Sequence, residues 1–131
     1  MKLDHVGIVV GNLTETIARW QVFLGPPSSP PEEVPGAGVR VAFFEAGKTH
    51  LEFVEPTGLQ SPVSKFLATR GGGIHHLAFA VPDVDAALAD VASHGGRLID
   101  SHGRPGARGR RVGFAHPAAF AGVLVEFVEA P

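Results

Sequence analysis

The sequence predicts an α+β fold in which two βαβββ modules form a curved mixed sheet. Two repeated segments support this prediction. Residues 3–10 recur at 74–81: each segment has a His followed by alternating small and larger apolar residues, and a helical pattern comes next. Residues 51–56 recur at 125–130 as a closing strand. Such a repeat indicates two similar modules, at about 1–57 and 74–131, joined by a helical linker at 58–73 within a single domain of 1–131.

The first module contains the signals of a capped amphipathic helix. Asn12 is placed to cap it, with Glu15 at the third position of a capping box. Residues 26–35 are rich in Pro and Ser, which predicts a loop or an edge strand. Residues 40–45 predict another strand before the closing one. The apolar stripe of the helix consists of Leu13, Ile17, Trp20 and Leu24.

The linker and the second module contain similar signals. Ser61 followed by Pro62 predicts the start of a short helix, which the glycines at 71–73 end. Asp83 is the cap of the next helix, and residues 111–115 predict a strand. The stripe of this helix consists of Val84, Ala87, Leu88 and Val91.

Composition narrows the range of functions. The net charge of -2 argues against a broad nucleic-acid-binding face, and the absence of cysteine excludes disulfides and thiolate ligands. No apolar run is long enough to span a membrane, and no leader precedes the first strand, so we expect a cytoplasmic protein.

Because the net charge is negative, an anionic ligand would need a local basic cluster. The one candidate consists of Arg104, Arg108, Arg110 and Arg111.

Four polar residues occupy equivalent positions in the two modules. Because strand residues alternate between faces, His5 shares a face with small residues such as Gly7, and His76 does the same in the second module. Glu52 and Glu126 occupy matching positions in the closing strands. If a pseudo-twofold axis relates the modules, these four side chains converge in a cleft.

Two imidazoles and two carboxylates suit a divalent cation. The carboxylates balance the charge of the ion, and the imidazoles are borderline ligands for cobalt, nickel, manganese, iron or zinc. Four ligands on a six-coordinate ion leave two positions for water or a chelating substrate. The sheet is therefore predicted to surround a metal-binding cleft, although chelation alone does not identify a reaction.

An ordered series of segments resembles the methylmalonyl-CoA epimerase family. That family lies in the vicinal-oxygen-chelate superfamily, with glyoxalase I, extradiol dioxygenases and antibiotic-resistance proteins. The resemblance covers nearly the whole chain. The matching segments are residues 3–8, 38–43, 51–56, 61–67, 73–79, 97–100, 112–117 and 122–126.

The resemblance implies a ligand set and a reaction. The metal ligands of the family fall on His5, Glu52, His76 and Glu126, with His76 rather than His75 taken from the adjacent pair. The implied enzyme interconverts the 2-epimers of methylmalonyl-CoA by 1,1-proton transfer through a metal-stabilised enolate. Cobalt is the first choice of metal, with manganese, nickel, zinc or magnesium as alternatives. The implied partners are a small-molecule acyl-CoA and a second copy of the chain in a homodimer.

Two departures from the family affect the catalytic assignment. Some members carry a Glu, proposed as a base, where this chain has Val41. Glu52 and Glu126 are then the best-placed carboxylates, one for each face of the substrate, although a metal-bound water or a nearby His could serve instead. The family often has Lys after its His-Pro pair, whereas residues 118–120 here are Ala-Ala-Phe. This loop is therefore a doubtful phosphate contact.

Other interpretations stay open at this point. The arginine-rich stretch at 104–111 is interpreted as a mobile, solvated loop, with contact to CoA phosphates or the substrate carboxylate as the alternative. The chain could also be a glyoxalase-like lyase or isomerase acting on another thioester or a glutathione adduct. A third interpretation is a drug-binding resistance protein of the same fold.

Overall fold

The computed structural model describes residues Met1–Pro131 as eight strands and three helices. None of the helices is both long and apolar enough to cross a bilayer. Two short 3-10 turns lie at Ala107–Gly109 and Pro117–Phe120. In chain order the elements are β1 (Lys2–Val9), α1 (Leu13–Leu24), β2 (Glu32–Val34), β3 (Val39–Ala46), β4 (Thr49–Pro56), α2 (Pro62–Arg70), β5 (Gly73–Val81), α3 (Val84–Ser93), β6 (Arg104–Pro105), β7 (Arg111–Ala115) and β8 (Val125–Glu129).

The eight strands form one mixed sheet in the order β2-β3-β4-β1-β5-β8-β7-β6. The pairs β1–β4 and β5–β8 are parallel, whereas β2–β3, β3–β4, β6–β7 and β7–β8 are antiparallel. The predicted α+β class and the two βαβββ series are confirmed. By backbone contacts the chain forms two compact units, His5–His75 and Met1–Asp4 with His76–Pro131. The proposed module boundaries stay a prediction.

All three predicted helix caps are confirmed. The side-chain oxygens of Asn12, Ser61 and Asp83 each accept a hydrogen bond from the backbone N–H three residues later, at 2.9–3.1 Å. Each cap satisfies one of the N–H groups that the first turn of a helix leaves without an intrahelical partner. Helix α2 ends at Gly71 in the left-handed conformation, as the run of glycines predicts.

Helices α1 and α3 each pack on the strands of their own module. In the first module the buried cluster is Leu13, Ala42, Phe44 and Phe53, with Ile8, Val10 and Ile17 against it. In the second module it is Val81, Val84, Leu88, Ala115, Val125 and Phe127, with Phe79, Ala87 and Val91 against it. The larger apolar set of each first strand therefore faces the helix, as predicted.

Two short strands differ in how far the sequence predicts them. The Pro- and Ser-rich stretch contains the edge strand β2, which agrees with one of its two interpretations. Strand β6 has only two residues and no pattern that predicts it.

Helix α3 lies close to β7 because Gly113 has no side chain: a Cβ there would lie 2.8 Å from Leu88 Cδ1.

The second glutamate of each closing strand binds the start of a helix. The backbone N–H of Leu13 donates to Glu55 Oε2 at 2.8 Å, and that of Val84 donates to Glu129 Oε2 at 3.1 Å. Both carboxylates lie at the positive end of a helix dipole. The repeat therefore fixes each helix to its own closing strand through one charged hydrogen bond.

We predict that Glu55→Gln lowers the free energy of unfolding by about 1 kcal/mol, because it removes a charge from a helix N-terminus. Glu129→Gln should lower the free energy of unfolding further, since Glu129 also accepts a hydrogen bond from Arg111 Nη1 at 3.1 Å. Urea denaturation followed by circular dichroism measures both. Glu33→Gln, at an exposed position of β2, is the matched control. Equal stability of the three variants contradicts the assignment.

Candidate metal centre

The unit His5–His75 contains the first His–Glu pair. Strands β1 and β4 run parallel with Gly7 opposite Glu52, so His5 and Glu52 are diagonal neighbours on one face. Both side chains are buried, and His5 Nε2 lies 3.4 Å from Glu52 Oε1. The ring of Phe43 meets the imidazole of His5 edge-on, with the ring centres 5.6 Å apart. This contact fixes the orientation of the imidazole plane.

The second unit repeats this arrangement. Glu126 lies opposite Ala78 in the parallel pair β5–β8, and His76 is two residues before Ala78. His76 Nε2 lies 3.1 Å from Glu126 Oε1, and both side chains are buried. Phe114 meets the His76 ring edge-on at 5.6 Å between ring centres. The sequence repeat is thus reproduced in the side-chain geometry of the two pairs.

All four candidate ligand atoms lie within 4.8 Å of one another. They come from the residues that the repeat identifies, His5, Glu52, His76 and Glu126. Burial of two carboxylates is costly unless positive charge balances them, and neutral imidazoles do not supply that charge. The donor set, with two nitrogen and two oxygen ligands, therefore fits a divalent transition-metal ion.

Three further histidines, His50, His75 and His116, have different surroundings. The ring of His75 packs edge-on against Phe66, with centres 4.9 Å apart. His50 is the register neighbour of His5 and lies edge-on to Phe43 at 6.4 Å. His116 Nδ1 accepts a hydrogen bond from the backbone N–H of Ala118 and caps a 3-10 turn.

Position 41 contributes no acid or base. Val41 is buried and lies opposite Val54, while Phe43 is the residue opposite Glu52. The β3 strand therefore presents apolar side chains next to the first His–Glu pair. This agrees with the expectation that Val41 does not serve as the base in this chain.

The interpretation of residues 104–111 as a solvated loop is wrong for two of its arginines. Asp4 is only 6% exposed, and its two carboxylate oxygens accept from Arg108 Nη2 at 2.8 Å and Arg110 Nη1 at 3.0 Å. Arg110 Nε also donates to the backbone oxygen of Glu129 at 2.6 Å. The contacts to Asp4 span more than 100 residues of sequence, so no local pattern could predict them.

The last arginine of the stretch, Arg111, forms a more exposed network. Arg111 donates to Asp85 at 3.2 Å and to Glu129 at 3.1 Å. The backbone N–H of Gly103, and then Arg111, hold the pKa of Asp85 below its usual range. The hydrogen bond that Arg111 donates to Asp85 in turn raises the pKa of Arg111. Both groups therefore stay charged near neutral pH, and the network holds the loop against the start of α3.

The superfamily profile described as glyoxalase/bleomycin resistance protein/dioxygenase matches residues 4–114. An ethylmalonyl-CoA/methylmalonyl-CoA epimerase of Cereibacter sphaeroides is 38% identical over 128 residues, covering 95% of each chain. The mitochondrial methylmalonyl-CoA epimerase of Homo sapiens is 35% identical over 130 residues, which are 98% of this chain and 74% of the human one.

Solved structures give the same similarity at the level of the fold. A methylmalonyl-CoA epimerase of Streptomyces coelicolor, in complex with 2-nitronate-propionyl-CoA, superposes with a TM-score of 0.93 at 35% identity. The superposition covers 99% of this chain and 94% of the other. A methylmalonyl-CoA epimerase from Mycobacterium tuberculosis gives a TM-score of 0.90 at 36% identity, covering 98% and 88% of the two chains.

Proposed function

Because the chain belongs to the glyoxalase/bleomycin resistance protein/dioxygenase superfamily and is similar to methylmalonyl-CoA epimerases over nearly its whole length, we propose that it interconverts the 2-epimers of methylmalonyl-CoA. The observation that carries the proposal is the buried set of two histidines and two glutamates. Two carboxylates in one site can remove a proton from C2 on one face and return a proton on the other.

We propose that a single divalent ion, cobalt first, is held by His5, Glu52, His76 and Glu126. The two carboxylates would neutralise it, and each imidazole would donate the Nε2 lone pair. When bound, such an ion acts as a Lewis acid toward the oxygens of the substrate and favours the enolate. Manganese, nickel, zinc or magnesium would be held by the same donors.

The proton transfers are assigned to Glu52 and Glu126. The reason for this assignment is that the two carboxylates occupy equivalent positions in the two sequence repeats, and a 1,1-proton transfer needs an acid–base group for each face of the enolate. Phe43 and Phe114, edge-on to the two histidines, keep apolar surface beside the acid–base groups.

Deuterium exchange at C2 tests the proposed reaction. We expect the metal-loaded protein in D₂O to incorporate one deuterium into methylmalonyl-CoA and to equilibrate the two epimers, as measured by NMR from each pure epimer. The methylglyoxal–glutathione adduct serves as the comparison substrate. Turnover of that adduct with no exchange at C2 would mean that the chain is a glyoxalase-like enzyme.

Metal binding has a separate test. We predict one divalent ion per chain by elemental analysis after loading and desalting, and a loss of affinity of more than about tenfold in His5→Ala and in His76→Ala. His94→Ala is the control, since His94 ends α3 and its side chain is 80% exposed. Equal occupancy in the three variants would refute the ligand assignment.

The two glutamates should differ in the epimer that they serve. Glu52→Gln is expected to keep the metal, because some members of the epimerase family carry Gln at this position and an amide oxygen still coordinates. It should slow exchange from one epimer by about 10²-fold or more. Glu126→Gln should slow exchange from the other epimer. It should also lower the affinity for the metal, since a negative ligand is lost. NMR exchange from each epimer, with metal content checked in parallel, measures both effects. Full epimerase activity of Glu52→Gln would leave that residue as a ligand only.

We also propose that the chain forms a homodimer. Large apolar side chains on α1 support this, since Val22 and Phe23 are 79% and 82% exposed. Multi-angle light scattering at micromolar concentration should give twice the chain mass of 13.7 kDa. A monomer mass at that concentration contradicts the proposal.

A further inference from the structure

The aromatic rings beside the two candidate histidines are buried to different extents. In the first unit Phe43, which is edge-on to His5, is 2% exposed and is packed in the core. In the second unit Phe114, which is edge-on to His76, is only half-buried. Close packing restrains a half-buried ring less than a buried one, because solvent lies against part of it. The position of Phe114 therefore depends more on its specific contacts.

Asp100 and its neighbour Ile99 hold the backbone of Phe114. The backbone oxygen of Phe114 accepts hydrogen bonds from the N–H groups of Ile99 and Asp100, both at 3.0 Å. The N–H of Phe114 donates to Asp100 Oδ2 at 2.9 Å. Glu126 is the register partner of Phe114, so the two side chains lie on the same face of the sheet. Asp100 thus binds both backbone polar groups of the residue whose ring lies beside the second His–Glu pair.

Arg104 lies over the ring of Phe114. Its guanidinium carbon is 5.5 Å from the ring centre, which is within the range of a cation–π contact. Asp100 Oδ1 accepts a hydrogen bond from Arg104 Nε at 3.3 Å, and this bond holds the guanidinium over the ring. Because Arg104 and Asp100 have opposite charges, the pair restrains the ring without adding net charge.

We propose that Arg104 is a positioning residue for the second His–Glu pair and that it acts through Phe114. The ring that Arg104 covers meets the imidazole of His76 edge-on, with 5.6 Å between the ring centres. His76 Nε2 lies 3.1 Å from Glu126 Oε1. A fixed ring at this distance limits rotation of the imidazole and so keeps the direction of its Nε2 lone pair. Loss of a group that orients a metal-binding histidine typically lowers metal affinity by about 10- to 100-fold.

Binding of Co²⁺ tests the proposal, which rests on the proposed metal ligands and not on the proposed reaction. The full metal-free chain is titrated with Co²⁺, and the visible absorption of the bound ion reports its coordination geometry. We expect Arg104→Gln to lower the affinity about tenfold and to change the shape of the spectrum. The Arg104 side chain is 41% exposed, so this substitution leaves no cavity in the core.

Three further variants show how Arg104 acts. Arg104→Lys should recover most of the affinity, since an ammonium group can also lie over an aromatic face. Arg97→Gln is the matched control, because it removes the same charge from an exposed position of the same unit, and it should bind Co²⁺ like the wild type. Phe114→Leu removes the ring, and adding Arg104→Gln to it should cause little further loss.

Three results would overturn the proposal. They are wild-type affinity and spectrum in Arg104→Gln, an equal loss in Arg97→Gln, and an equal loss from Arg104→Gln whether or not the ring of Phe114 is present.

NMR of the metal-free protein separates the positioning contact from the metal centre. The ring current of Phe114 shifts the Hε1 resonance of His76, which is assigned from its absence in His76→Ala. We expect Arg104→Gln to move this resonance and to leave that of the exposed His94 unchanged. If the wild type does not bind Co²⁺ but the His76 resonance moves, the ligand assignment is refuted and the positioning contact is supported. If the resonance does not move, the proposal is overturned.

Discussion

Burial of two carboxylates beside two imidazoles is the constraint on which the candidate site depends. A carboxylate removed from water costs several kcal/mol unless positive charge or several donors compensate it. Here each buried glutamate has an imidazole nitrogen within 3.4 Å, and each imidazole has an aromatic edge against it. Such a set is stable with a cation or with added protons. These four side chains are therefore suited to binding a divalent ion, and they are not an ordinary part of the hydrophobic core.

The same local rule produces both halves of this site. In each closing strand two glutamates are separated by three positions, so alternation places them on opposite faces. The first, Glu52 or Glu126, lies on the ligand side, and the second, Glu55 or Glu129, accepts from the first turn of the helix on the other side. A short repeated segment thus supplies both the candidate chemistry and the attachment of the helix.

The sequence predicts the features that have a local period or a repeated pattern. The helix caps, the apolar stripes and the four candidate ligands all follow from spacing within short segments. Because the modules repeat, a pattern in one module can be compared with the same pattern in the other. The salt bridges of Asp4 follow from no such spacing, because their partners are more than 100 residues away. Strand β6 is too short to show alternation. The second glutamates were visible in the repeated segments, but the sequence did not indicate that they bind helix N-termini.

A duplicated scaffold suits an epimerisation for a geometric reason. The reaction removes a proton from one face of a carbon and delivers one to the opposite face, so it needs two acid–base groups across a plane rather than one group beside it. The sequence repeat places a carboxylate in each module at equivalent positions, whereas position 41 of β3 is a buried valine and supplies none.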